Sequence, residues 1–306
     1  MAVPALSASS PVSASSSLTP ALFKRLHPLP YLSRFLNEGV RPDGRPLGAQ
    51  ANEQDVWREA SVNIGSVSTA PSSALVRLGK TSLVCGVTLE IAPPDLARPN
   101  EGFIVPNVDL SPLCSPLFRP GPPADGAQVL SARLRDVLLA SNVLPLSSLV
   151  IEPGKAVWVV YLDVVCLNYD GGILDAAVLS AVGALKNLTL PTATWDIDAN
   201  QAVCEPITET SPGVRIPLAA EPYSISFGVF NNHLLLDPTL FESQLCTSEI
   251  TVVLSALPDS PSASLAKALL VSIYQAGAPL ENGREALKEC IKLARKRAVE
   301  LRSTLG

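Results

Sequence analysis

The sequence predicts an α+β fold made of two pseudo-repeated halves, each a mixed sheet followed by a long helix. Three observations carry that prediction. Ala156–Leu167 (AVWVVYLDVVCL) is a long run of β-branched and aromatic residues, and the helix expected after it, within Tyr169–Leu188, is apolar on every side. Short alternating runs separated by tight turns recur in both halves, over 60–92 and again over 224–254. An amphipathic helix over Glu281–Leu305 closes the chain.

Length and composition narrow the functional classes. The 306 residues are enough for one large domain or two modest ones with an ample core. The net charge of −5 gives no overall basic field, so any RNA contact has to come from local patches. Cys85, Cys114, Cys166, Cys204, Cys246 and Cys290 are far apart and form no CxxC pair. They read as buried thiols of a reducing compartment, neither a disulfide frame nor a zinc site. His27 and His233 are the only histidines, which excludes a multi-histidine metal site and leaves a Ser-His-Asp triad without a supporting motif. No apolar run reaches membrane-spanning length and no signal-peptide pattern opens the chain, so a soluble intracellular protein is expected.

In chain order, the Ala/Ser/Pro-rich residues 1–20 read as a disordered tail. Leu22–Glu38 is an amphipathic helical segment interrupted at Pro28 and Pro30. Arg41-Pro42-Asp43-Gly44-Arg45-Pro46 is a rigid turn, either braced by an Arg–Asp pair or presenting Arg41 and Arg45 to a partner or RNA. Ala60–Ser68, Ser73–Leu78 and Thr81–Ile91 form an antiparallel meander, and Ala92–Gly126 is a proline-rich loop with an extended piece at Phe103–Val108. Asp125–Ala140 repeats Val129, Leu134, Val137 and Leu138 at helical spacing. Leu190–Pro222 is irregular; Ser224–Phe230 and Leu234–Leu236 flank a turn at Asn231-Asn232, with strands to follow at Ile250–Leu254 and Leu269–Tyr274. In the closing helix Leu287, Cys290, Ile291, Ala294, Ala298, Leu301 and Leu305 make the apolar stripe. Lys288, Lys292, Arg295, Lys296, Arg297 and Arg302 read either as a solvated face or as an RNA surface.

The Gly171-Gly172 turn ahead of the central helix has the backbone of an anion cradle. Its charge is wrong for one. Asp170 and Asp175 flank the turn, Ile173 and Leu174 stand where a hydroxyl or guanidinium would help, and no Lys or Arg occurs between Lys155 and Lys186. A capped core helix is the better reading.

VRPDGRP at 40–46, SVNIGSVSTAPSSALVRLGKTSLVCGV at 61–87, PNVDLSPLCSPLFRPGPP at 106–123 and YDGGILDA at 169–176, in that order, resemble RNase PH domains. Among these they most resemble the ring subunits of the eukaryotic RNA exosome. The resemblance spans roughly Phe23 to Leu305. It implies an RNase PH fold with a ribosomal S5 domain 2-like lobe, mixed sheets and packed helices. Two pseudo-repeated βαβ-type lobes would cover about 41–190 and about 218–306. Active members of the family attack the RNA 3′ end with phosphate, held by a Gly-Ser/Thr-Arg turn, and use two aspartates beyond an Asp-Pro turn for a metal ion. Here the first turn falls on Gly172-Ile173-Leu174, and the aspartate positions beyond Asp237-Pro238 fall on Phe241 and Thr247, with Glu242 and Glu249 displaced from them. The resemblance therefore implies a non-catalytic ring subunit without cofactor or metal. Its implied partners are RNA, other RNase PH-like ring subunits and S1/KH cap subunits, not membranes, and its implied location is the nucleus, nucleolus and cytoplasm. The alternative is an active phosphate-dependent 3′-to-5′ exoribonuclease. Arg119, in a stiff Phe118–Pro123 segment, is the leading RNA contact; it could instead pair with Asp109 or Asp125 across a subunit boundary.

Overall fold

The computed structural model describes residues 19–47, 56–196, 198–199, 201–205, 213–258, 268–279 and 283–305. The tail expected over 1–20 lies outside them except at its last two residues. The chain divides into two compact units, residues 1–51 and 52–306.

The first unit holds two short helices, α1 (Pro20–Leu26) and α2 (Pro28–Asn37). The helical segment breaks at His27 as the sequence suggested, and Pro28 opens α2 at a first-turn position where its missing N–H costs nothing; Pro30 lies inside α2 and makes no second break. The rings of Tyr31 and Phe35 lie 4.9 Å apart, and the Arg34 guanidinium sits 5.0 Å from the Phe23 ring. In the turn that follows, Arg45 Nε donates to Asp43 at 2.6 Å and the Arg41 N–H donates to the Arg45 carbonyl at 2.8 Å.

The second unit is built on two sheets. In chain order come β1 (Ala60–Ile64), β2 (Ser72–Leu78), β3 (Thr81–Ala92), β4 (Phe103–Asp109), α3 (Asp125–Ala140), β5 (Val150–Glu152), β6 (Ala156–Asn168) and α4 (Ile173–Lys186). Then follow β7 (Thr189–Leu190), β8 (Ala193–Asp196), β9 (Gln201–Cys204), β10 (Val214–Arg215), β11 (Glu221–Phe230), β12 (His233–Leu236), α5 (Leu240–Ser243), β13 (Ser248–Ala256), β14 (Leu269–Gly277) and α6 (Gly283–Leu305). The larger sheet runs β1-β2-β3-β6-β4 with β5 also on β6, and β4 is parallel to β6. The smaller sheet runs β12-β11-β13-β14, antiparallel throughout. This is the α+β architecture expected.

The central helix explains its own composition. α4 packs on β2 and β3 of the larger sheet with one face and on β11 of the smaller sheet with another, and every residue from Ile173 to Leu185 is buried. A helix sandwiched in this way has no flank on which a polar residue could reach water. Val178, Leu179, Val182 and Leu185 are all within 3% of complete burial, and each such side chain contributes about 1.5–3 kcal/mol. The turn between β11 and β12 holds Asn231 and Asn232 at φ 44° and 64°, the left-handed pair that a two-residue hairpin requires.

Several expectations are corrected. β1 stops at Ile64 rather than Ser68, because Ser73 Oγ takes the Val67 N–H at 2.8 Å and turns the chain into a loop. Val129 is 50% exposed; only Ala127, Leu134, Val137 and Leu138 of α3 are buried. Leu190–Pro222 is not wholly irregular, since β8 pairs with β9 and β10 with β7. Cys204 is exposed and Cys246 half-buried, whereas the other four thiols are buried. On α6, Arg297 belongs to the core rather than the solvated face.

Candidate functional site

The turn before α4 keeps the backbone of an anion cradle. Gly171 and Gly172 have φ of +81° and +64°, values that glycine adopts without a Cβ penalty, and Gly172 caps the helix. A side chain at Gly171 would also collide with the backbone of Pro238 and Leu240, its Cβ falling 2.8 Å from each.

What surrounds the turn is a buried ion pair. Arg58, just ahead of β1, is 6% exposed and Asp237 is 3% exposed. Arg58 Nε donates to Asp237 Oδ2 at 2.9 Å, and Nη2 closes a second bond to Oδ1. Arg58 Nη1 donates to the Asp170 carbonyl at 2.8 Å. Thr81 Oγ1 donates to the Gly171 carbonyl at 2.7 Å and accepts the Asp170 N–H at 3.1 Å. Burial pulls the Arg58 pKa down, but the Asp237 charge and its hydrogen bonds more than offset this and hold it above the usual arginine value. Asp237 sits at φ 49° ahead of a proline, a conformation fixed by these bonds. Arg297 of α6 donates to the Arg58 carbonyl, and its guanidinium lies 5.4 Å from the Trp57 ring. The Trp57 ring in turn meets the Phe227 ring edge-on at 6.0 Å.

Asp175 does not face an incoming anion, as the sequence suggested. It turns to β11, accepting Ser224 Oγ at 2.5 Å, the Ser226 N–H at 2.8 Å and Ser226 Oγ at 3.0 Å. Burial pushes its pKa up to about 6; the Ser224 bond works against this and the nearby Asp237 charge adds to it.

On the open side of the turn lies a pocket of about 160 Å³, lined among others by Arg133, Tyr169, Gly172, Ile173, Leu174 and Glu249. Ile173 and Leu174 are each 6% exposed, so the pocket wall at the helix start is hydrocarbon. The one cation among the described lining residues, Arg133 of α3, is placed 5.2 Å from the Tyr274 ring. Glu249 is exposed and accepts a hydrogen bond from Ser243.

The second-lobe positions are dispersed. Glu242 is fully buried and closes a capping box on α5, accepting the Thr239 N–H at 2.9 Å and its hydroxyl at 3.0 Å. Phe241 is half-buried, and the exposed Thr247 donates its hydroxyl to the Val229 carbonyl at 3.0 Å. Among the described residues, no three of His, Cys, Asp and Glu gather where a metal ion could be held. Asp237 is paired with Arg58.

Of the arginines singled out for RNA, Arg119 is exposed and makes no ion pair among the described residues. Arg41 is 1% exposed, which removes it from any surface of the chain taken alone, and the Arg45 side chain, 11% exposed, is bonded to Asp43. Arg58, Arg133 and Arg297 were missed by sequence reasoning. Each has another charge within two residues, and nothing in the local pattern marks which of them turns inward.

The residues 57–191 match the RNase PH family model described as 3′ exoribonuclease family, domain 1, and residues 220–297 match domain 2 of the same family. The chain belongs to the RNase PH, or 3′ exoribonuclease, family. Among curated relatives of this RNase PH chain, the exosome complex component rrp43 of Schizosaccharomyces pombe is 42% identical, covering 91% of this chain and 95% of the relative. The exosome complex component Rrp42 of Pyrococcus furiosus is 34% identical over 72% of this chain and 76% of its own. Among solved structures, a chain of the Archaeoglobus fulgidus exosome with RNA bound to the active site superimposes with a TM-score of 0.73. Their identity is 27%, over 90% of this chain and 97% of that one. The fold is thus the RNase PH fold.

Proposed function

We propose that this RNase PH chain is a non-catalytic structural and RNA-path subunit of an exosome core ring, supporting 3′-to-5′ RNA processing and degradation. Ring membership is supported by the named components it resembles along most of their length. Within the ring we place it with the subunit called exosome component eight, which the NVDL, RPGPP and YDGGILDA segments resemble, and with the rrp43 component of S. pombe. Its partners are then RNA, other RNase PH-like subunits and S1/KH caps, and its compartments are the nucleus, nucleolus and cytoplasm.

Catalytic silence is supported by one observation above the rest: the helix-start turn is walled by Ile173 and Leu174, and the nearest guanidinium behind it, Arg58, is committed to Asp237. Phosphoryl transfer depends on positioned cations around the moving phosphoryl group. Among its described lining residues the pocket offers one arginine, Arg133, which lies over the Tyr274 ring. Incubated with RNA, Mg²⁺ and phosphate, alone and with a family partner, the chain is expected to add no nucleoside diphosphate release beyond that partner's own. Extra release that is lost on Leu174→Lys or Arg133→Ala, with the fold intact, would overturn the proposal.

We further propose Arg119 as the residue that meets RNA in the ring. It is exposed on a segment stiffened by Pro120, Pro122 and Pro123, so little ordering cost attends its contact. Arg119→Glu is expected to weaken RNA protection by the assembled ring several-fold, more at low salt, with the ring intact. A ring that dissociates would instead assign Arg119 to an intersubunit pair, and an intact ring with unchanged RNA affinity across a salt series would exclude both roles.

A further inference from the structure

We propose that the outward face of α6 is a second surface for single-stranded RNA, gripping it through phosphates rather than bases. Arg284, Lys288, Lys292 and Lys296 recur at every fourth residue of this helix, and all four are exposed. Residues so spaced stack along one flank of a helix, one per turn of about 5.4 Å. Like charges at that spacing repel one another, and Arg284, Lys288 and Lys292 make no ion pair among the described residues that would relieve this.

The exposed opposing charges on this face are Glu285 and Glu289, so the four exposed cations keep an excess of two. That excess belongs to a chain whose net charge is −5, and is therefore a local feature. The choice of RNA over an acidic protein rests on what α6 lacks. Its exposed residues are Arg284, Glu285, Lys288, Glu289, Lys292, Lys296 and Ser303, with no apolar or aromatic side chain among them. Protein interfaces take their strength from buried apolar and aromatic anchors, whereas a nucleic-acid backbone is held chiefly through its charge and needs no such anchor. This surface shares no residue with the pocket or with Arg119, so it stands or falls independently of the proposed function.

The test uses the full chain and a labelled oligouridine, with binding measured from about 50 to 200 mM salt, the range over which phosphate contacts lose most of their strength. Lys288→Gln/Lys292→Gln/Lys296→Gln is expected to weaken low-salt binding about tenfold. It should flatten the log K against log salt slope by about 2, since each single-strand phosphate contact contributes roughly 0.7. Arg98→Gln/Arg135→Gln, which removes two exposed arginines elsewhere, is expected to change neither. If the triple variant fails to fold, photocrosslinking of 4-thiouridine RNA to the wild-type chain decides, with adducts expected on α6. Unchanged slope and affinity in a folded triple variant, or crosslinks confined to other segments, overturn the proposal. So does a chain that binds polyglutamate through these lysines and leaves oligouridine free.

Discussion

Asp237→Asn is expected to lower the melting temperature by roughly 10 °C. The substitution keeps the size of the side chain, and asparagine tolerates the positive φ of 49° at this position, so the change isolates the charge. It leaves the Arg58 guanidinium, 6% exposed, without its bidentate partner. Removing one member of a buried pair costs about 3–5 kcal/mol, because the other charge stays desolvated. In a unit of this size each kcal/mol shifts the midpoint by roughly 2–4 °C. Removing the guanidinium as well, in Arg58→Met/Asp237→Asn, is expected to recover part of the loss, since no uncompensated charge remains. Thermal unfolding of the three proteins checks this. A single variant within about 1 kcal/mol of wild type would mean that the pair is no more than a surface-grade contact.

Asp175 should make the protein more stable in mild acid than its other carboxylates would suggest. Its pKa rises from 3.8 to about 6 in the folded state, chiefly through burial, so the native chain binds the proton more tightly than the unfolded one. A group shifted in this direction contributes most below 3.8 and loses that contribution as pH climbs through about 6. The whole shift is worth about 3 kcal/mol, of which about 1 kcal/mol falls between pH 8 and pH 5. The charges facing Asp175 are Asp237 and, beyond it, Arg58; the bonding partners Ser224 and Ser226 do not titrate. Asp175→Asn removes the titration and leaves the rest of the chain's pH dependence in place. The difference in urea unfolding free energy between wild type and variant should therefore move in favour of wild type on going from pH 8 to pH 5. A constant difference would show that Asp175 keeps the same charge in both states.

The parts of the fold that were legible in the sequence are those where composition leaves one choice. α4 is apolar on all sides, and only a helix between two layers can be so; β6 is long and mostly buried, with Asp163 and Leu167 exposed on one face. α6 declares itself by its stripe, and Cys290, Ala294, Ala298, Leu301 and Leu305 are indeed buried. Long-range polar pairing was not legible. Arg58 and Asp237 are 179 residues apart, and no periodicity links them. Arg297 has Arg295 and Lys296 before it, and pattern alone cannot say that one of three neighbouring cations turns inward onto Trp57. At the candidate site Ile173 and Leu174 were identified from the sequence, because apolar residues at a glycine-rich helix start contradict anion binding on charge grounds alone. Arg133 was not, because helix spacing marked α3 only by its buried side.

The position of α4 has a consequence for the order in which the chain is made. Its hydrocarbon surface is complete when Lys186 is synthesised, yet β11, which covers one face, starts at Glu221. At roughly 5–20 residues per second about 2–7 s pass between the emergence of that face and the emergence of its cover. A nascent chain in this state exposes a surface normally found only inside a finished protein. A translational pause between Asn187 and Ala220 would lengthen the time in which it can aggregate.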